Sequence, residues 1–280
     1  MAYDNTTSKV PFEVQLRMLT LDNPYNKECG ARRFFTCLEV RIPKNGEFIR
    51  DILRQASIIE PKLNKGKAND STPRDAKTVA QDNLAGLIAE NTCRRILECR
   101  YGVEVIDQSA STDSSVDQID IKLSNGKTIE VRSSGIRNGL EFAIFSTNAK
   151  TKTSYIDVIG PYFNDYKPCE TPKDYYLRPI YTFDLKDFNK YFAASDTITL
   201  FILGGATRRM MNDEGTYVVK KFYPDGFERA VPKNATKYRA VPMLNALDAC
   251  QFLEVLEREN HFSVKQPFPP QNTKYFKITP

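Results

Sequence analysis

The chain reads as an α/β (α+β) protein: a mixed central β-sheet flanked by helices. Three observations predict this. Short segments with period-two alternation recur from Arg33 to Leu203, a long amphipathic helix is signalled near Thr72, and a second helix closes the sequence. At 280 residues, with 41% hydrophobic and 27% charged side chains, there is material for a sizeable core and an ordinary soluble composition. The pattern shows no internal repeat and no clean domain boundary, so one domain over 1–280 is the expectation.

Taken in order, the first forty residues mix aromatic and polar types, with a strand predicted at Arg33 to Ile42. Gly46 to Ile58 reads as a short helix, and Asn64 to Ser71 as a polar connector. At Thr72-Pro73-Arg74-Asp75 a hydroxyl N-cap, a proline in the first turn and an acid three residues after the cap signal a helix running to about Cys99. Its apolar stripe is Ala85, Leu87, Ala89, Cys93 and Leu97, with Glu90 at the border. That glutamate is either a solvated edge residue or a functional group held near the sheet.

Ile119 to Arg132 reads as two short strands around a tight turn. Asn125-Gly126 ordinarily marks a two-residue hairpin loop, which would set Asp120 opposite Val131 and break the apolar pattern. A three-residue loop, Ser124-Asn125-Gly126 with Gly126 left-handed, sets Ile121 against Ile129, Ile119 against Val131 and Asp120 against Glu130. Directly opposed residues have Cβ atoms roughly 4.5–5.5 Å apart, so two carboxylates would lie within reach of one divalent cation. Arg132 shares their face. The plainer alternative is an exposed hairpin face on which Glu130 and Arg132 form a salt bridge.

Beyond the hairpin, Glu141 to Thr147, Ser154 to Phe163 and Tyr175 to Phe183 read as strands, Asp187 to Ala194 as a short helix and Thr197 to Leu203 as a buried strand. Pro242 is expected to open the closing helix, with a stripe of Ala246, Ala249, Cys250, Leu253 and Leu256. The proline-rich tail is expected to be irregular.

Several function classes are disfavoured. No early apolar run resembles a secretion signal, and none is long enough to span a bilayer. The six cysteines form no C-x-x-C pair and His261 is the sole histidine, which argues against zinc, a disulfide framework and Ser-His or Cys-His catalysis. Phosphate-binding glycine loops are lacking, Gly204-Gly205 being too little. The net charge of +5 is mild. Between Gly205 and Arg239, however, Arg208, Arg209, Lys220, Lys221, Arg229, Lys233, Lys237 and Arg239 stand against Asp213, Glu214, Asp225 and Glu228. This suits either a polyanion or a solvated lysine-rich surface.

A helix with a glutamate, a strand with an aspartate and a strand with Glu-x-Arg, in that order, resemble the PD-(D/E)xK nuclease superfamily, in particular type II restriction endonucleases. The resemblance covers about Thr72 to Phe163. It implies a restriction-endonuclease-like core over 72–203, an N-terminal accessory, DNA-contacting segment over 1–71 and a basic C-terminal segment over 204–280. It further implies that Asp120 and Glu130 bind one or two Mg²⁺ ions, that Glu90 is the helix acid of the catalytic group, and that Arg132 takes the family's lysine position. Arginine stays charged where lysine can release its proton, so Arg132 would orient and stabilise while Lys122 is the candidate to replace the lysine. Residue 119 is isoleucine instead of proline, a common departure in this family.

The activity implied is hydrolysis of double-stranded DNA by a sequence-specific endonuclease, a homodimer in the bacterial or archaeal cytoplasm. Ser133, Ser134, Arg137, Asn138, Lys150, Lys152, Arg208 and Arg209 are the candidate DNA contacts, although each taken singly also suits a turn or a solvated surface. Two rival readings accompany this one. One is a nuclease-fold protein that has lost catalysis and binds DNA, the other a repair nuclease acting on structured or single-stranded DNA.

Overall fold

A computed structural model describes residues 12–21, 33–59, 75–108, 120–135, 162–163, 171–181, 183, 185–221, 237–241, 245–267 and 276–278. Ten strands are placed: β1 (Phe12–Leu21), β2 (Arg33–Pro43), β3 (Ile121–Lys122), β4 (Thr128–Val131), β5 (Tyr162–Phe163), β6 (Tyr175–Tyr181), β7 (Thr197–Thr207), β8 (Val218–Lys221), β9 (Lys237–Ala240) and β10 (Phe276–Ile278). The helices are α1 (Glu47–Ile59), α2 (Ala76–Tyr101), α3 (Phe188–Ala194), α4 (Arg208–Asn212) and α5 (Ala249–Asn260).

Seven strands make one mixed sheet in the order β10-β1-β2-β7-β6-β4-β3, and β5, β9 and β8 make a small second one. In the large sheet only β4 and β6 run parallel. Helices flank it, as the alternation of patterns predicts. No described helix is long and apolar enough to cross a membrane.

One face of the sheet carries Val14, Leu38, Val40, Leu200, Ile202, Leu177 and Ile129. Against it pack Ile49 and Ile52 of α1, Ile88, Cys93 and Ile96 of α2, and Phe252 and Leu256 of α5. The opposite face holds a smaller cluster of Phe35, Cys37, Tyr176, Ile180, Phe201 and Leu203 against Met211, Val241 and Ala246. Each fully buried aliphatic or aromatic side chain contributes about 1.5–3 kcal/mol, so the helix-covered face dominates stability.

Several boundaries differ from the sequence expectation. The N-cap of α2 is Asp75 instead of Thr72: its carboxylate accepts from Thr78 N at 2.7 Å. An aspartate caps at least as well as a threonine, and it stands nearer the first apolar turn. The closing helix starts at Ala249 and not at Pro242, because Asp248 and Gln251 complete a reciprocal capping box. The tail is not wholly irregular, since Phe276–Ile278 pairs antiparallel with β1. Strand β1 itself, Phe12–Leu21, lies in a stretch where no strand is predicted.

Strand β7 extends to Thr207, beyond Leu203, through Gly204 and Gly205. Gly204 has φ +107° and marks the shift of pairing between β6 and β7. At Gly205 a Cβ would lie 2.0 Å from Tyr176 O, so the pair of glycines serves close packing. The connector at 64–71, the strand at 141–147 and the strand at 154–163 apart from Tyr162 and Phe163 lie outside the described residues.

Candidate functional site

The hairpin adopts the three-residue loop. Ile121 pairs with Ile129 and Lys122 with Thr128, Leu123 N donates to Lys127 O at 2.8 Å, and Gly126 has φ +86°. Ile121 and Ile129 are sealed in the core, so the period-two pattern fixes which side chains face away from it. Asp120 immediately precedes β3. Its carboxylate takes over from the ladder, with Oδ2 accepting from Val131 N at 2.6 Å across the hairpin.

Glu130 alternates with Ile129 and lies beside Tyr176 across the parallel pairing of β4 and β6. It is 5% exposed, which removes it from the exposed hairpin face of the plainer alternative. The salt bridge of that alternative does exist, with Arg132 Nε 2.8 Å from Glu130 Oε1.

The third carboxylate comes from α2. Glu90 is pushed up to about 7, first by burial and then by the negative charge of Glu130, with Arg94 opposing. Asp120 is raised well above the ordinary carboxylate range by burial, then by Glu130 and Glu90; the Val131 N–H and the Arg132 charge pull the other way. Three acids from α2, from the start of β3 and from β4 therefore share one electrostatic environment. Among the described residues, no group of three or more His, Cys, Asp or Glu is arranged so that it could hold a metal ion. The donor chemistry nevertheless suits a hard divalent cation, for the cluster offers carboxylate oxygens and carries mutual repulsion that such a cation would relieve.

Sequence reasoning misses two arginines here. Arg94, one helical turn after Glu90, donates from Nη2 to the Asp120 carbonyl at 3.4 Å and so joins α2 to the hairpin. The i, i+4 spacing was its available signal. Arg178 is fully buried on β6; Nη1 donates to Arg132 O and Nη2 to Ser134 Oγ, each at 2.7 Å. With Arg132 N donating to Leu177 O at 3.0 Å and Tyr181 N to Ser134 O at 2.8 Å, it fastens the segment leaving β4 onto β6.

The other candidates are distributed as follows. Ser133 is half-buried next to Arg132, whereas Ser134 is buried with its hydroxyl engaged by Arg178. Lys122 is ion-paired with Asp107 at 2.9 Å. Arg208 and Arg209 are exposed on α4, which leaves the end of β7, two strands from β4. Arg137, Asn138, Lys150 and Lys152 lie outside the described residues. Compared with known proteins, the chain matches no protein family, no curated protein and no solved structure.

Proposed function

We propose that this protein is a Mg²⁺-dependent endonuclease that hydrolyses double-stranded DNA, sequence-specific in the manner of type II restriction enzymes. One observation carries the reading: Glu90, Asp120 and Glu130, supplied by three separate elements, share one buried electrostatic environment beside the Arg132 guanidinium.

In this reading Asp120 and Glu130 hold the ion, with Glu90 joining from α2. When bound, Mg²⁺ supplies charge neutralisation at the phosphate and a lower pKa for the attacking water. Arg132 offers planar, permanently charged donors to the non-bridging phosphate oxygens, where negative charge grows in the transition state. It does not serve as a base, because arginine keeps its proton. Arg178 and the β6 backbone hold the Arg132 main chain in place. Among the described loop residues, half-buried Ser133 next to Arg132 is the candidate to meet the DNA backbone. A homodimer acting on duplex DNA in a bacterial or archaeal cytoplasm completes the proposal.

Incubation of plasmid and short duplexes with Mg²⁺ or Mn²⁺ tests it. Cleavage to 5′-phosphate ends is expected, with Asp120→Asn and Glu130→Gln each abolishing it. Intact substrate across diverse sequences with both metals would count against catalysis.

The Glu130–Arg132 ion pair favours a second reading, a nuclease-fold protein that binds DNA without cutting it. Calorimetric metal titration separates the two, since Asp120-dependent binding supports the enzyme and its absence supports the silent protein.

A further inference from the structure

The charged side chains of Glu130 on β4 and of Arg132 just after it, both needed by the proposed reaction, are engaged with each other. Arg132 Nε lies 2.8 Å from Glu130 Oε1, the glutamate side chain 6% exposed and the arginine side chain 29% exposed. Arg132 follows the last residue of β4 and stands two residues from Glu130, so the two side chains leave the extended backbone on the same side. The Arg132 main chain is held from both sides, its N–H donating to Leu177 O and its carbonyl accepting from Arg178 Nη1. The guanidinium, on a stem of single bonds, can turn outward without moving the strand.

The Arg132 charge acts on Asp120 as well as on its partner Glu130, while that of Arg94 acts on Glu90. Removing one partner from a buried ion pair leaves an uncompensated charge and is strongly unfavourable. A cation entering alone would meet Arg132 beside its ligands; a phosphate drawing Arg132 away alone would strand Glu130. Together the two exchanges leave every charged group with a partner of opposite sign. A phosphodiester is also a good competitor for Arg132, because its oxygens match the guanidinium fork.

Building on the nuclease reading, we propose that Arg132 is the internal counter-ion of Glu130. A divalent cation takes its place on the carboxylates as a phosphodiester draws the guanidinium outward, so cation and polyanion bind cooperatively. Linkage requires the coupling to be reciprocal, each ligand tightening the other by the same factor.

The test uses the full chain, Ca²⁺ as an oxygen-seeking probe ion and a short DNA duplex, with duplex-only titrations subtracted. Calorimetry measures Ca²⁺ binding with and without duplex, and fluorescence anisotropy measures duplex binding with and without Ca²⁺. For the wild type we expect each ligand to tighten the other by about tenfold or more, within the usual span of allosteric coupling. Arg132→Gln should bind Ca²⁺ at least about tenfold more tightly than wild type without DNA, and should lose most of the coupling.

Independent binding of Ca²⁺ and duplex by the wild type overturns the counter-ion role, and needs no variant to fold. So does an Arg132→Gln protein that binds Ca²⁺ no more tightly than wild type. In either case Ca²⁺ binding that still depends on Asp120 leaves the metal site of the nuclease reading intact. If neither protein binds Ca²⁺ or Mn²⁺ in any titration, that metal site falls and takes the counter-ion proposal with it.

Discussion

Glu90 is the residue through which pH should act on this protein. Its carboxyl is raised from 4.5 to about 7, chiefly by burial. A raised folded-state value means that the native protein binds this proton more tightly than the unfolded chain does. The associated stability is full below about pH 4.5, declines as the unfolded chain ionises, and is gone above about pH 7. Asp120 shifts in the same direction. Without divalent cation, Glu90→Gln should therefore raise Tm at pH 8 by a few degrees, on the order of 1–3 kcal/mol, and change it little at pH 4. Thermal unfolding from pH 4 to 8 checks this, and parallel curves for the two proteins would sink it. Arg178 is tested through its bonds to Arg132 O and Ser134 Oγ. Arg178→Met should cost about 2–4 kcal/mol in urea unfolding, more than Ser134→Ala, because it leaves the Arg132 carbonyl and the Ser134 hydroxyl without their buried donor. Glu90 could be suspected from its border position on a helical stripe. Arg178 carried no comparable signal, for its placement depends on how β4 and β6 pair.

Among the elements, the hairpin was the most legible and for a definite reason. A period of two leaves only one register that buries Ile121, Leu123 and Ile129 together, and that register set the loop length and brought the Asp120 carboxylate onto the Val131 amide beside Glu130. Its backbone requirement is testable: Gly126→Ala should cost about 1–2 kcal/mol, because φ is +86° and a Cβ there meets nothing within 4 Å, leaving conformation as the sole penalty. Thermal denaturation measures it, and a neutral substitution would show that the loop relaxes. Other elements were legible in kind but not in extent. Thr72 and Asp75 both satisfy cap chemistry, and geometry decides between them. In β1 the alternation of Val14, Leu16 and Met18 with Glu13, Gln15 and Arg17 was present; Leu19 and Leu21, apolar at the alternate positions, obscure the period.

At the scale of the molecule, the order of the sheet was beyond any local pattern. β2 pairs with β7 across more than 150 residues, and β10 closes the far edge on β1. Segments near both ends thereby share one sheet with the hairpin that carries the site. Gly205 lies on β7 beyond its pairing with β2, paired with Leu177 in β6 and bridged to Leu247 ahead of α5. Gly205→Ala would drive a Cβ to 2.0 Å from Tyr176 O and 2.7 Å from the Phe252 ring. We expect a loss of about 3 kcal/mol or more, read as a lower urea midpoint or as failure to accumulate soluble protein. Because Tyr176 adjoins Glu130, any shift there would also disturb the carboxylates.

The bond from Val131 N to Asp120 Oδ2 makes that amide a built-in reporter. Anything that draws electron density from the Asp120 carboxylate weakens its hold on this one proton. The Val131 amide resonance and its exchange with solvent should then respond to occupancy of the cluster by any cation, whether or not DNA is present.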